Sequence, residues 1–512
     1  MLPPSSLDAL PDAFVALWQT VEDSILQDAA RRIAKMDAVT PTANWQLWRY
    51  QQTEAFREDV VKLLARYSGK SESTIRKLLQ QAATEAMERE DAIYCHYGKE
   101  PTPFEESAAL NNLLNAGARQ TCGTWQNLTA TTANTVTGAF ERTLDAAWGK
   151  VATGAFDYKT AVKQAVDSLA NDLPMVTYPS GHQDSIEVAA RRAVLTGVNQ
   201  TAGKLQVARA DEMGVEFFSV TAHGGARPSH AAWQGKTYHR GGAVDYLGKH
   251  YPDFEASTGY GTGAGLCGWN CRHTFFAVFP ELGDAPAWTQ EELEALNARN
   301  IEYNGKLYTR YEISQMQRAR ERNVRKWKKR YLAEAEAELD TTDSAVRLKA
   351  ARQSLSEFTK ATGGRVDSAR TSVPKFGRSE AGRANWAAKG YEKQQKDAII
   401  IENLRTAAKL PKAAVIHLEP TKINVDALTF DDAHINAERE HRVSEEQAKQ
   451  YIRDAKISVS VWNGQFERYY GTEGAAYVNT IKHEIRTTYS RAEFDENTTA
   501  LIEEMKRNGI LG

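Results

Sequence analysis

The chain has 512 residues, 42% of them hydrophobic, with a formal net charge of −2, four cysteines and eleven histidines. That length suits about two to four domains with sizeable cores, and so few cysteines exclude a disulfide scaffold and imply reduced thiols. No run nears the roughly eighteen apolar residues of a membrane span, and the start MLPPSSLDALPDAF lacks the basic and apolar regions of a signal peptide, so a cytoplasmic setting without a membrane partner is expected.

Up to about residue 213 the pattern is helical. Phe14, Leu17, Trp18, Val21, Ile25, Leu26 and Ala29 follow i, i+3, i+4, i+7 spacing and share one face. The stretch from Ser71 to Met87 opens with a capping residue and an early Glu, the chemistry of a helix start. Pro101 and Pro103 mark a break, which gives expected helical regions over 1–104 and 105–213. Neither offers catalytic groups. After Met213 the alternation of Phe217, Ser219 and Thr221 with Phe218 and Val220, and the β-branched and aromatic CRHTFFAVF, read as strands. Tight glycine turns lie between them, so a small α+β module is expected over 214–285. Asn304-Gly305 between Tyr-rich flanks predicts a hairpin; with a charged helix from Glu312 to about Gln353, expected to be long and exposed, it makes up 286–359. Residues 360–375, rich in Gly, Ser, Thr and Pro, read as a linker. Residues 376–512 read as an α+β domain: a short strand in KAAVIHLEP, a polar motif running into a helix, then three strands of a meander, ISVSVWNG, QFERYYGTEGAAYVN and HEIRTTYS. The expected fold class is therefore multidomain: a mainly α N-terminal half with a small Gly/His/Cys-rich α+β module, and a C-terminal α+β domain of helix plus antiparallel sheet.

Between Thr221 and His273 lie His223, His230, His239, His250 and His273 with Cys267 and Cys271. The spacing of Cys267, Cys271 and His273 is that of a structural zinc pair and a further ligand, and His223, His230 or His239 would complete a tetrahedron. A dyad of Cys271 with a histidine is chemically allowed, yet the sequence supplies no orienting third group. The favoured reading is a hydrogen-bonded structural knot. In it Arg227 and Arg272 pair with carboxylates or main-chain carbonyls and the histidines satisfy buried donors, with His230, Trp233, Gly235 and Asn270 as further motif residues. No cofactor is expected, with zinc as the alternative.

The ordered blocks AHGGARPSH, WQGK, TGYG, GL and NCRH resemble the phage minor capsid protein 2 family, a branch of the MuF-like head morphogenesis proteins. TPTANWQLWRYQQTEAFREDVVKLLARYSGKSESTIRKLL resembles the start of the same family. Cys271 falls in that pattern and Cys267 does not. For residues 1 to about 340 the resemblance implies a virion protein, assembled in the host cytoplasm, attached inside the head or near the portal. Its implied partners are portal, major capsid or scaffold proteins and packaged DNA. The basic block Arg318, Arg320, Arg322, Arg325, Lys326, Lys328, Lys329 and Arg330 reads as a solvated helix face, or as a contact with nucleic-acid phosphates that would weaken with salt.

Farther on, HINAEREHRVSEEQA followed by RYYG, AAYV and EIRTTYS resembles the phage-linked nuclease domains grouped with the barnase, EndoU, colicin and RelE toxins, over roughly Ala413 to Gly512. RNA cleavage without metal needs a base, an acid and a cation near the phosphorane. His434, His441, Arg439, Arg442 and Arg486 are the catalytic candidates, beside Lys482 and His483, with Tyr470, Thr488 and Tyr489 as phosphate or base contacts. Were residues 434–441 helical, the two histidine α-carbons would stand ~10 Å apart, too far to grip one phosphorus. Either the segment is bent or one histidine is structural. The expectation is a toxin-like ribonuclease acting on RNA, with an immunity protein as partner. The alternative is a purely structural virion protein whose C-terminal domain binds DNA or other head proteins without catalysis.

Overall fold

The computed structural model describes residues 2–38, 42–173, 176–284 and 286–511; residue 285, the expected end of the central module, lies outside them. The chain forms two compact units, Met1–Ala387 and Ala388–Gly512, and the division falls within a helix, Arg378–Ala407. Among the described residues no helix is long and apolar enough to cross a membrane.

Six helices build the first unit's main core: α1 (Asp12–Ala34), α2 (Thr42–His96), α3 (Ala108–Ala130), α4 (Thr132–Ala152), α5 (Tyr158–Asp172) and α6 (Ile186–Met213). The apolar face of α1 is buried as its spacing requires, with Leu17 half-buried at its margin. Trp18 and Phe14 meet Trp125 of α3 edge-on, at ring separations of 4.8 and 5.2 Å. The helices on both sides of Pro101 and Pro103 thus share one core. Ser71, expected at a helix start, lies inside the 55-residue α2. Its hydroxyl donates to the Tyr67 carbonyl one turn back and accepts the Trp18 indole N–H at 2.9 Å, so its capping chemistry is spent within the helix. α3 and α6 approach so closely that a Cβ on Gly117 would overlap Thr201, and one on Gly197 would overlap Thr121.

A second cluster surrounds the three-stranded antiparallel sheet of β1 (Phe217–Val220), β2 (Thr237–His239) and β3 (Phe275–Ala277), in the order β2-β1-β3. Phe218, Phe254 and Phe275 fill it, joined by Tyr94 of α2 and Ala210 of α6. Strands β4 (Ile301–Tyr303) and β5 (Lys306–Tyr308) form the expected hairpin. Asn304 and Gly305 have φ of 50° and 72°, both positive as a two-residue type I′ turn requires.

The charged helix, expected to run exposed from Glu312 to Gln353, is instead two helices, α7 (Arg310–Glu336) and α8 (Thr342–Ala361), packed on each other; α7 also lies against α1 and α5. Val324, Tyr331 and Ala333 are buried on it, and its cations meet carboxylates from other helices, described below. Residues 360–375, the expected linker, include a short helix at Ser368–Thr371 and are held against the first unit. Arg370 pairs with Asp8, Lys375 reaches Gln27 at 2.7 Å and Val373 is buried.

The second unit is a six-stranded sheet covered by helices on both faces. Its strands are β6 (Val415–His417), β7 (Thr429–Phe430), β8 (Ile457–Val461), β9 (Phe466–Tyr470), β10 (Gly474–Asn479) and β11 (Glu484–Ser490), in the order β6-β8-β9-β10-β11-β7. All pair antiparallel except β7, which runs parallel to β11. The stretch expected as one strand, QFERYYGTEGAAYVN, turns at residues 471–473 into β9 and β10, so the meander has four strands, not three. Successive residues point to opposite faces. Tyr470 and Ala475 pack with Leu404 of α9 (Arg378–Ala407) and Leu501 and Met505 of the C-terminal helix Glu496–Arg507. Tyr469 and Ala476 pack with Ala448 and Ile452 of the helix Glu445–Arg453.

Candidate functional site

In the first unit, a cavity of about 700 Å³ is walled by α1, α6, α7 and the loops that carry the His/Cys motif. Arg191, Arg227, Arg272, Arg318 and Arg370 line it, together with Asp8 and Asp12. Arg272 lies 3.7 Å from Asp8, and Arg227 donates to the Trp269 carbonyl at 2.6 Å. Burial works against the Asp8 carboxylate, yet Arg272 and Arg370 hold its pKa below the usual range.

At one end of the cavity wall stand His230, Cys271 and His273, all buried. Their Nδ1, Sγ and Nδ1 atoms form a triangle: 3.4 Å between the two nitrogens, 3.7 Å from sulfur to His230 and 3.6 Å from sulfur to His273. The outer nitrogens are tied elsewhere: His230 Nε2 meets the Ala264 carbonyl at 3.0 Å and His273 Nε2 meets Gln234 Oε1 at 2.9 Å. Gln234 is itself fixed, accepting the His223 N–H and donating to Asn297. Asn199 of α6 clamps the loop by donating to the Cys271 and His273 carbonyls, each at 3.0 Å. Burial pushes His230 down to about 4 and His273 to about 2, the latter aided by His223 and His230 nearby; burial pushes the Cys271 thiol up. A catalytic thiolate–imidazolium pair needs the opposite shifts, so the dyad chemistry has no support, although Gln234 does supply an orienting group.

The zinc set suggested by spacing is rearranged. Cys267 Sγ lies toward the His273 carbonyl at 3.8 Å, and His223 stacks on His273 with its Nδ1 turned to the Gly224 carbonyl. Among the described residues, the His, Cys and carboxylate side chains whose ligating-type atoms converge are His230, Cys271 and His273. His239 sits on β2 beside Glu216 and His250 is exposed beside Asp245. Trp233 packs edge-on to His273, Gly235 leaves no room for a Cβ against Leu293, and Asn270 takes a φ of 54°. Sequence reading missed Gln234 and the buried polar stripe Asn199, Gln206 and Arg209 on α6. Their signal is a spacing of seven and then three residues on one helix face.

The basic residues of α7 are mostly committed inside the unit. Arg325 pairs with Glu187, Lys329 with Glu22, and Arg330 with Asp167, Glu334 and Asp343. Arg320 lies over the Phe358 ring at 4.1 Å, and Lys328 donates to the Thr371 carbonyl. Burial lowers Arg318 to about 10 and Lys328 to about 8. Only Arg322 and Lys326 of the eight expected phosphate contacts are exposed.

In the second unit, Ala433–Glu438 forms a π-helical turn and the chain reverses at Glu440 and Arg442, with φ of 57° and 53°. The His441 main-chain N–H donates to the Ile435 carbonyl at 3.2 Å, and Asn436 closes the loop on Val443. The segment is therefore bent and does not continue as a helix to His441. His434 Nδ1 faces Glu438 at 2.7 Å; His441 Nδ1 faces Glu493 at 3.2 Å and its Nε2 faces Thr487 at 3.4 Å. Arg486 is the extra residue of a bulge between β10 and β11. It pairs at 2.7 Å with Asp431, whose other oxygen accepts the His434 N–H. The Tyr489 ring centre lies 5.9 Å from that of His441. Arg439 and Arg442 are exposed on the loop, and Lys482 and His483 lie in the turn before β11. Thr488 and Tyr470, expected as substrate contacts, are buried: Thr488 donates to the Ala475 carbonyl and Tyr470 bonds Tyr477. The period of two on their strands turns them to the core. Sequence reading did not single out Asp431, Thr487 and Glu493, although Thr487 lies within EIRTTYS and Asp431 three residues before His434.

A family model described as Phage minor capsid protein 2 matches residues 2–360. A "Structural protein" of Lactococcus phage LL-H is 28% identical over 242 residues, covering 45% of this chain and 61% of that protein. No solved structure matches.

Proposed function

The chain belongs to the phage minor capsid protein 2 family, and from that premise we propose a head morphogenesis protein of the virion, seated inside the head or beside the portal, whose second unit is a metal-independent ribonuclease. Contacts with portal, major capsid or scaffold proteins fall to the first unit, in which the Gly/His/Cys-rich segment forms a small α+β module. The enzymatic part is carried by one observation: Arg486, at the β11 bulge, pairs with Asp431, which also accepts the His434 main-chain N–H, and His441 faces Thr487, the residue next to Arg486. A carboxylate on Nδ1 of His441 leaves Nε2 as the base that takes the proton of an RNA 2′-hydroxyl. That oxygen attacks phosphorus, the 5′-oxygen leaves with a proton from His434, and Arg486 offsets the charge of the phosphorane.

Full-length protein incubated with RNA in EDTA is expected to yield 2′,3′-cyclic phosphate ends, and His441→Ala to slow this by about 10²–10⁴-fold. RNA left intact at high protein concentration would instead establish the second reading, a non-catalytic binding unit. That reading is favoured by the inward placement of Thr488 and Tyr470.

A further inference from the structure

The triangle of His230, Cys271 and His273 contains a hydrogen-bonding contradiction. Each neutral imidazole carries one N–H, and in both rings an acceptor assigns it to Nε2: the Ala264 carbonyl for His230 and Gln234 Oε1 for His273. The Gln234 orientation follows in turn from the His223 N–H it accepts and the Asn297 oxygen to which it donates. Both Nδ1 lone pairs therefore point inward, 3.4 Å apart, toward the Cys271 sulfur. A thiol proton can serve only one of them. Two buried imidazole acceptors thus face each other with at most one thiol hydrogen between them, and that hydrogen is also within reach of the His273 carbonyl at 3.8 Å, an arrangement that proteins avoid unless something else fills it.

A cation removes the contradiction. In a tetrahedral zinc site with Zn–N of about 2.0–2.1 Å and Zn–S of about 2.3 Å, ligand atoms sit ~3.3 to ~3.6 Å from one another. The observed sides are 3.4, 3.6 and 3.7 Å. The outer shell has the form found around metal-bound histidines, in which the remote ring N–H is held by a carbonyl or an amide oxygen.

We propose that His230 Nδ1, Cys271 Sγ and His273 Nδ1 bind one zinc ion, whose fourth position faces the arginine-lined cavity and is filled by water. Three protein ligands and one solvent position distinguish it from a closed structural site. Cys267 is not a ligand. The site is independent of the nuclease reading, which concerns the other unit and needs no metal.

Full-length protein incubated with zinc and dialysed against metal-free buffer should retain about one zinc per chain. Loaded with cobalt(II) instead, it should show a sulfur-to-cobalt charge-transfer band in the near ultraviolet. Cys271→Ser and His273→Gln should lose the band and the bound metal, while Cys267→Ser should keep both. Since losing a buried ligand can unfold the adjoining sheet, the unaltered protein decides by itself. Retention below about 0.1 zinc per chain after loading overturns the site. Bound cobalt without the thiolate band places the ion elsewhere and overturns it equally.

Discussion

At the scale of single residues, Asp23 is a buried carboxyl at odds with its surroundings. It is 2% exposed, neither side-chain oxygen has a hydrogen-bond partner, and Lys329 stands 4.0 Å away. Burial, with Glu22 and Glu187 adding to it against Lys329, raises its pKa to about 7. A carboxyl whose folded pKa exceeds its unfolded value binds more protons when folded, so its contribution to stability falls as pH rises from about 4 to about 7. Asp23→Asn is therefore expected to raise the melting temperature at pH 8, with a ceiling of about 4 kcal/mol, and to change little at pH 4. Thermal melts across that range check it; a lower melting temperature at pH 8 would mean that Asp23 stabilises as the charged partner of Lys329. Glu22 remains to pair that lysine in the variant.

At the scale of elements, α7 shows what local sequence leaves out. Its charges suggest a solvated or nucleic-acid-binding face, but Glu187 and Glu22, which take Arg325 and Lys329, lie 138 and 307 residues away. No window around α7 contains them. Lys329→Met leaves Glu22 and Asp23 buried without their cation and should cost about 3–5 kcal/mol in urea melts, whereas Arg322→Ala and Lys326→Ala should each stay within about 0.5 kcal/mol. If DNA binds this helix through Arg322 and Lys326, the two exposed cations of the expected block, log K against log salt should slope no more steeply than about −2. A slope near −7 would require the paired cations to be released. The α1 face, the β1 and β3 strands and the Asn304-Gly305 hairpin were legible because their signals are periodic or local. The triangle of His230, Cys271 and His273 was only half legible: Cys271 and His273 are two residues apart, but His230 reaches Cys271 across 41 residues. The bend between His434 and His441 could be posed from helix geometry but not decided, since it rests on Asn436 and two positive φ values.

At the scale of the molecule, each unit encloses its own apolar clusters, so heating should give two calorimetric transitions. Phe140→Ala should lower one and Ile485→Ala the other, each by about 2–5 kcal/mol; both residues are fully buried. One transition moved by both variants would show a single cooperative unit. Within the first unit, the two glycine–threonine contacts between α3 and α6 have a consequence for assembly of the fold. Gly117 opposes Thr201 and Thr121 opposes Gly197, an antiparallel pairing in which each helix supplies one notch and one peg. A slip of one turn, ~5.4 Å, would set Thr121 against Thr201, peg on peg. Slip in that direction is thus blocked sterically, whereas slip the other way would set Gly117 against Gly197 and lose both contacts, so the observed register fixes the height at which Asn199, between Gly197 and Thr201, meets the Cys271 loop.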